Sequence, residues 1–429
     1  MLDINRTYFW LFCFAVLCLL IGIELFRFAD EVCQLVFAIL GALDLLYNRR
    51  WRAYRLFFVF LGVMAFYAFY SIYFLDYSIP RAIVNDFVIQ MKPLIAFSVT
   101  YAIAPQFTGK EKRIIKYLCI VLAVVSFIMI LANTRRALLP HVYHQGLLCA
   151  GCGIVYLLMA YDKEQPKGWS RKDLLWAVAI FMMGLACTRA KYYGFVVLAL
   201  FMLFVYKPGM MNLKNLRNLG IILLVLAAVL FVSWNKIEYY FITGNSDTFD
   251  PEVAESFARP VLYATSILVF ADHFWLGSGL ASFATSSSST AIHYSGLYYD
   301  YGIDAIWGLS PAYDAFISDT FYPELAQFGF IGIILFVVFC CWIWKRLMIL
   351  LRAGRLPLFI IGVLGFGFLA IDATSNCCVL QVSGELIMAV LGILAACAKS
   401  LDNEKLLSGN MADVYNGLNK KEMKYEQKI

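Results

Sequence analysis

Residues 174–206 read LLWAVAIFMMGLACTRAKYYGFVVLALFMLFVY. Two apolar runs, Leu174–Cys187 and Phe195–Tyr206, flank a short turn that holds Arg189 and Lys191. Neither run carries a charge, and the turn is too short to fold as a domain. Backbone amides inside such runs satisfy each other only as helices when water is absent. The stretch therefore predicts two membrane-spanning helices joined by a tight cationic turn.

The rest of the chain repeats this pattern. Of 429 residues, 62% are hydrophobic and 15% charged, with mean hydropathy +0.74. A soluble domain carries about 25% charged residues. Apolar runs fall at 8–26, 30–47, 56–75, 93–107, 117–132, 146–161, 174–187, 194–206, 218–234, 321–344, 357–371 and 385–399. They predict an all-α polytopic membrane protein of about twelve transmembrane helices. Residues 1–429 then form one membrane domain, and the run after Tyr8 reads as a retained first span rather than a removed signal peptide.

Basic residues orient the spans. With the N-terminus inside, only nine of the 35 Lys and Arg fall outside: Arg27, Arg81, Lys92, Arg135, Arg136, Arg189, Lys191, Lys236 and Arg259. That asymmetry follows the positive-inside rule and puts both termini in the cytoplasm, with the 400–429 tail on the inner surface. The Arg189 turn is then external. One external loop, 235–320 between spans 9 and 10, far exceeds the others. It is acidic and rich in Tyr and Trp, which predicts order and partial helicity, except at Thr285–Thr290, a Thr/Ser-only patch expected to be flexible.

Twelve cysteines sit mostly inside apolar runs, where a thiol behaves as a small hydrophobe. Cys149 and Cys152 have redox spacing, but the glycines beside them favour close helix packing. Four histidines without metal spacing do not form a zinc site. No metal or cofactor is expected, and nucleic acid is not an expected partner.

The candidate chemistry lies on the external side. Lys92 and Lys236 read as cations reaching lipid headgroups. Arg189, with Lys191 and the start of the following helix, suits a phosphate or pyrophosphate. Arg259 either pairs with Glu255 four residues earlier or joins Arg189 around one polyanion. Arg135 and Arg136 are weaker candidates of the same kind. Gly277 and Gly279 mark a tight turn that lets backbone approach a ligand or redirects the chain. Asp319 either caps the tenth span or serves as a base. His293 is a second possible base, and Tyr298 belongs to the aromatic set suited to sugar faces. Asp30 reads as a helix cap.

Taken in order, Thr188-Arg189 opening a span, Arg259 before an apolar helix ending Asp272-His273, Leu276-Gly277-Ser278-Gly279, and Ser318-Asp319-Thr320 with Gln327-Phe328-Gly329 resemble the O-antigen ligase and polymerase superfamily, the Wzy-type polysaccharide polymerases. The likeness covers residues 174–344. It implies a metal-independent glycosyltransferase of the bacterial inner membrane. The implied donor is a glycan on undecaprenyl pyrophosphate, with Arg189 and Arg259 gripping the pyrophosphate as it leaves. A chain-length regulator and a flippase are the implied companions. Ligases of this superfamily commonly carry His-Asn where the span after the large loop begins. Ser318-Asp319 stands there instead, which favours a polymerase and leaves the base open among Asp319, His293 and an unassisted acceptor hydroxyl. A glycan ligase is the alternative within the class. A lipid-linked oligosaccharide flippase is the alternative outside it, and needs charges deep in the spans.

Overall fold

Apolar runs bounded by capping residues, prolines or left-handed turns become helices throughout. The structure, a computed structural model, describes residues 3–22, 28–132, 139, 141–165, 168–208 and 251–403, with side chains from 258 onward in the last stretch. The main helices are α1 (Ile4–Ile21), α2 (Ala29–Asn48), α3 (Arg55–Phe74), α4 (Pro80–Ile103), α5 (Gly109–Leu131), α6 (Tyr143–Ala160), α7 (Arg171–Met183), α8 (Ala190–Leu200), α9 (Pro251–Asp272), α10 (Gly329–Arg352), α11 (Leu356–Asp372) and α12 (Val382–Asn403).

Among the described residues, seven segments are long and apolar enough to cross a bilayer: α1, α3 with its leading turn, α4, α5, α6, Phe321–Arg352 and α12. Ala190–Val205 and Leu356–Asp372 are shorter apolar helices. The exposure pattern requires an apolar solvent. α3 and Phe321–Arg352 are strongly apolar along their length, yet only about a fifth of their residues are buried. Such helices, greasy all round and facing outward, are stable in lipid and not in water. The chain is a helical membrane protein. The expected span 218–234 and most of the tail lie outside the described residues.

α6 forms the axis, with 94% of its window buried. Its glycines let neighbours close in. A Cβ at Gly153 would lie 2.3 Å from the Phe181 ring on α7. Cys149 and Cys152 are buried free thiols in this packed helix, as the close-packing reading expects.

One expected boundary is corrected. The run read as 93–107 is the second half of a helix that begins at Pro80. Asp86, Gln90 and Lys92 interrupt its hydropathy, but all three are buried against partners from other segments. Lys92 does not reach out to headgroups. It pairs with Asp30 at 2.6 Å and Glu31 at 2.8 Å, while Phe28, not Asp30, occupies the cap position of α2.

The described part of the segment 235–320 is built on its own apolar cluster, including Leu262, Val269, Phe283, Leu297, Tyr298 and Ile317. The Thr285–Thr290 patch is ordered, against expectation. Thr285 and Ser288 cap a short turn, Ser287 and Ser288 are buried, and the Thr285 hydroxyl donates to Asp86 at 2.6 Å. Small hydroxyl side chains satisfied one another and a buried carboxylate, so polarity did not mean solvent exposure.

Candidate functional site

The chain reaches α8 through a short turn, Gly184–Cys187, and then Thr188 in the left-handed region at φ 52°. That reversal leaves Arg189 as the cap residue of α8, with no side chain capping the helix start. The helix begins at Ala190, earlier than the apolar run alone indicates. Lys191 falls in the first turn.

Three cations converge here. Arg189 Nη2 lies 3.2 Å from Nε2 of His141, just ahead of α6. Lys191 Nζ is 2.9 Å from Asp372 Oδ1 at the end of α11, 3.2 Å from the Ser375 carbonyl and 3.8 Å from the Tyr143 ring centre. The Tyr143 hydroxyl donates to the same Asp372 oxygen. Arg259, on α9, donates to Asp319 and stacks 5.2 Å above the Phe316 ring. Asp319 thus binds Arg259 and caps nothing; Thr320 is the cap residue of the following short helix, without a side-chain cap bond.

The electrostatics tie these pairs into one site. Partial desolvation and then Arg189 lower the His141 pKa, Asp319 opposes them, and Lys191 and Arg259 lower it further. The His141 imidazole therefore lies within electrostatic reach of both arginines. Burial raises the Asp319 pKa, opposed by Arg259, Lys191 and His141 in turn. Three cations against Asp319 and Asp372 leave the site net positive. Two of its buried polar atoms, Arg259 Nε and Asp372 Oδ2, have no protein partner.

Beside the site, a cavity of about 450 Å³ runs between α3, α10, α11 and α12. Its lining is almost wholly apolar and includes Leu56, Phe60, Phe328, Phe339 and Leu391. Phe321 and Ala373 also line it and are bonded to each other, Phe321 N to Ala373 O, at 3.2 Å. They stand two residues from Asp319 and one from Asp372 in the chain.

The other expected site residues are placed differently. Gly277 and Gly279, both at positive φ, clamp the loop onto the start of α10; a Cβ on Gly277 would meet the Gln327 carbonyl at 2.4 Å. Tyr298 is fully buried, and its hydroxyl is bonded to the Ala284 amide and Ser288. These three hold the loop rather than face a ligand. No described contact joins His293 to the cluster. Arg135 and Arg136 lie outside the described residues. Sequence reasoning missed His141, Tyr143 and Asp372. Their signal was faint: His141 and Tyr143 ahead of an apolar run, and an acid one residue beyond another.

Comparison with protein-family models gives no match to this chain, and comparison with curated proteins gives none either.

Proposed function

We propose that this protein is a polymerase of lipid-linked oligosaccharide repeat units for a surface polysaccharide, working at the outer face of a bacterial inner membrane. In this reading both termini are cytoplasmic, the chain spans the bilayer about twelve times, and the large external loop covers the site. The growing glycan passes from a polyprenyl pyrophosphate to a hydroxyl of the next lipid-linked unit. One observation carries the reading: Arg189, Lys191 and Arg259 all act on His141, and the residues that pair with Lys191 and Arg259, Asp372 and Asp319, lie one and two positions from Ala373 and Phe321, which line an apolar cavity of about 450 Å³. A doubly anionic head on an isoprenoid tail matches both halves.

The chemistry needs little else. As the anomeric carbon–oxygen bond breaks, negative charge grows on the pyrophosphate. Fixed guanidinium donors stabilise that charge more than the ground state, and losing one such donor typically costs ~10²–10³ in rate. Arg forks also match phosphate oxygens in pairs. Exposed rings of the external segment, such as Trp307 and Tyr299, offer faces for sugar C–H groups.

Deleting the gene in the producing strain should leave single repeats on lipid. Unchanged chain length would reject the reading. Accumulation of long lipid-linked chains would point instead to a ligase.

A second reading rests on a different observation. Asp86, Lys92, Glu324 and Glu385 are all buried within helices, whereas sequence reading expected few deep charges. Buried ionisable groups of this kind are typical of transporters. A flippase would leave repeat units on the inner leaflet when deleted, and Lys92→Met would abolish translocation while Arg259→Ala would not.

A further inference from the structure

We propose that His141 is the general base of the transfer, held masked by Arg189 until a pyrophosphate draws that guanidinium away. The inference rests on the pyrophosphate reading above and adds a base and an order of events to it.

The geometry is unusual for a histidine. Both ring nitrogens face donors: Nε2 faces the Arg189 guanidinium at 3.2 Å, and Nδ1 faces the Tyr143 backbone N–H at 3.3 Å. That amide belongs to the α6 start, where Val142 makes no side-chain cap bond, and its recorded contact is with His141. Neither a guanidinium nor an amide N–H accepts a hydrogen bond. A ring protonated at both nitrogens is therefore opposed from both sides. A neutral ring accepts from one donor only. The base is taken as the tautomer with the lone pair on Nε2, held by the charge-assisted guanidinium contact, in which the Tyr143 contact at Nδ1 is no longer a hydrogen bond. His141 is also exposed, so an acceptor sugar has access to it.

The charged groups facing this ring are Arg189 and Lys191 from the α8 start, Arg259 from α9 and Asp319 ahead of α10. The neighbouring His144 ring, on α6, lies 6.0 Å away. In the resting protein partial desolvation, and after it Arg189 and the other cations, hold the His141 pKa below its usual value. A bound pyrophosphate reverses that balance. It neutralises the cations and competes for the Arg189 fork, and Asp319 then favours the imidazolium.

The step balances as follows. The acceptor hydroxyl gives its proton to Nε2, and its oxygen forms the new bond to the anomeric carbon. The carbon–oxygen bond to the pyrophosphate breaks, and its electron pair stays on the pyrophosphate oxygen beside Arg189 and Arg259. The imidazolium then releases its proton to water as the product leaves and Arg189 returns. An empty site has its base blocked, so acceptor is not activated without a donor in place.

The chain has four histidines, which makes imidazole resonances tractable in the full-length protein. The experiment is a pH titration by NMR of histidine-labelled protein in nanodiscs, with and without farnesyl pyrophosphate, and with His141→Gln to assign the signal. Binding is measured separately by calorimetry. The His141 midpoint should lie below the usual value of about 6.5 without ligand and rise by about one unit, tenfold in basicity, at saturation. Arg189→Ala should raise the ligand-free midpoint by itself. Binding with no rise would overturn the base inference and leave the pyrophosphate reading standing. Absence of any binding would overturn both. In membrane vesicles carrying the strain's own lipid-linked repeats, His141→Gln should slow extension by ~10²-fold or more. It should also remove the acid limb of the pH–rate profile while farnesyl pyrophosphate still binds. Wild-type extension by this variant would refute the proposal.

Discussion

Two polar clusters sit at the same end of the bundle and differ in completeness. Around Asp86 the network is closed at the carboxylate, which accepts from the Ala281 amide at 2.8 Å and the Thr285 hydroxyl at 2.6 Å, all buried, although Gln327 Oε1 beside Glu324 has no partner. Nearby Glu324 accepts from Gln90 and from the Cys377 thiol. Around Arg189 and Arg259 the network is open. Arg259 Nε and Asp372 Oδ2 lack partners, and His141 faces two donors. A satisfied buried network fixes structure. A positively charged, incompletely paired one is what the proposed pyrophosphate reading requires.

Substitutions in the two clusters should separate these roles. Arg189→Ala and Arg259→Ala should each lower chain extension by ~10²–10³, read as polysaccharide length or as extension in vesicles, with insertion and thermal midpoint near wild type. Near-normal extension by either variant removes that arginine from the mechanism. Asp86→Ala should do the reverse. It strands the Ala281 amide and the Thr285 hydroxyl, at about 1–3 kcal/mol for each buried group left unpaired. The thermal midpoint in detergent should fall and the 277–290 segment should become protease-sensitive. An unchanged midpoint would mean the closed network is not structural.

The same contrast explains what could be read in advance. Helices such as α6 and α5 were legible, because uninterrupted apolar runs have one solution in lipid. α4 was half legible. Its polar residues look like a boundary in a hydropathy scan, yet Lys92 finds Asp30 and Gln90 finds Glu324 across the fold. Arg189 and Lys191 stood out because cations in a tight turn between greasy runs need a reason. Arg259 was visible, but its partner was not: Glu255 is near in sequence, whereas Asp319 is near in space. His141 has no such local mark: of the four histidines only His293, inside the aromatic loop, reads as a possible base. Nothing local in the sequence brings the α6 start, the α8 start and the α11 end together.

A smaller effect tests the clamp that carries the loop. Gly277 has φ +75°, and a Cβ there would lie 2.4 Å from the Gln327 carbonyl. Gly277→Ala combines a left-handed backbone with a backbone clash, so the loop must shift away from α10. Destabilisation of about 1–3 kcal/mol is expected from strain of this kind. Because the loop also carries Asp319, extension should fall with it. A variant that melts early but extends normally would separate the clamp from the site.

The smallest expected effect concerns acid stability and bears on the open cluster alone. His141 has a folded-state pKa below its unfolded value. Such a group binds more protons unfolded than folded across that window. Its contribution to stability is therefore present above the unfolded value and is lost as pH falls through the folded one. Wild type should lose some thermal stability in that range, on the acid side of the usual histidine region. His141→Gln does not titrate there and should lose less. The difference should be slight, since the ring is exposed and solvent screens it. Farnesyl pyrophosphate should shrink it further by raising the folded-state value toward the unfolded one. If the two proteins track each other down the whole acid range, the cations are not imposing their field on this ring. The open cluster would then be looser than the closed one in geometry but not poised in charge.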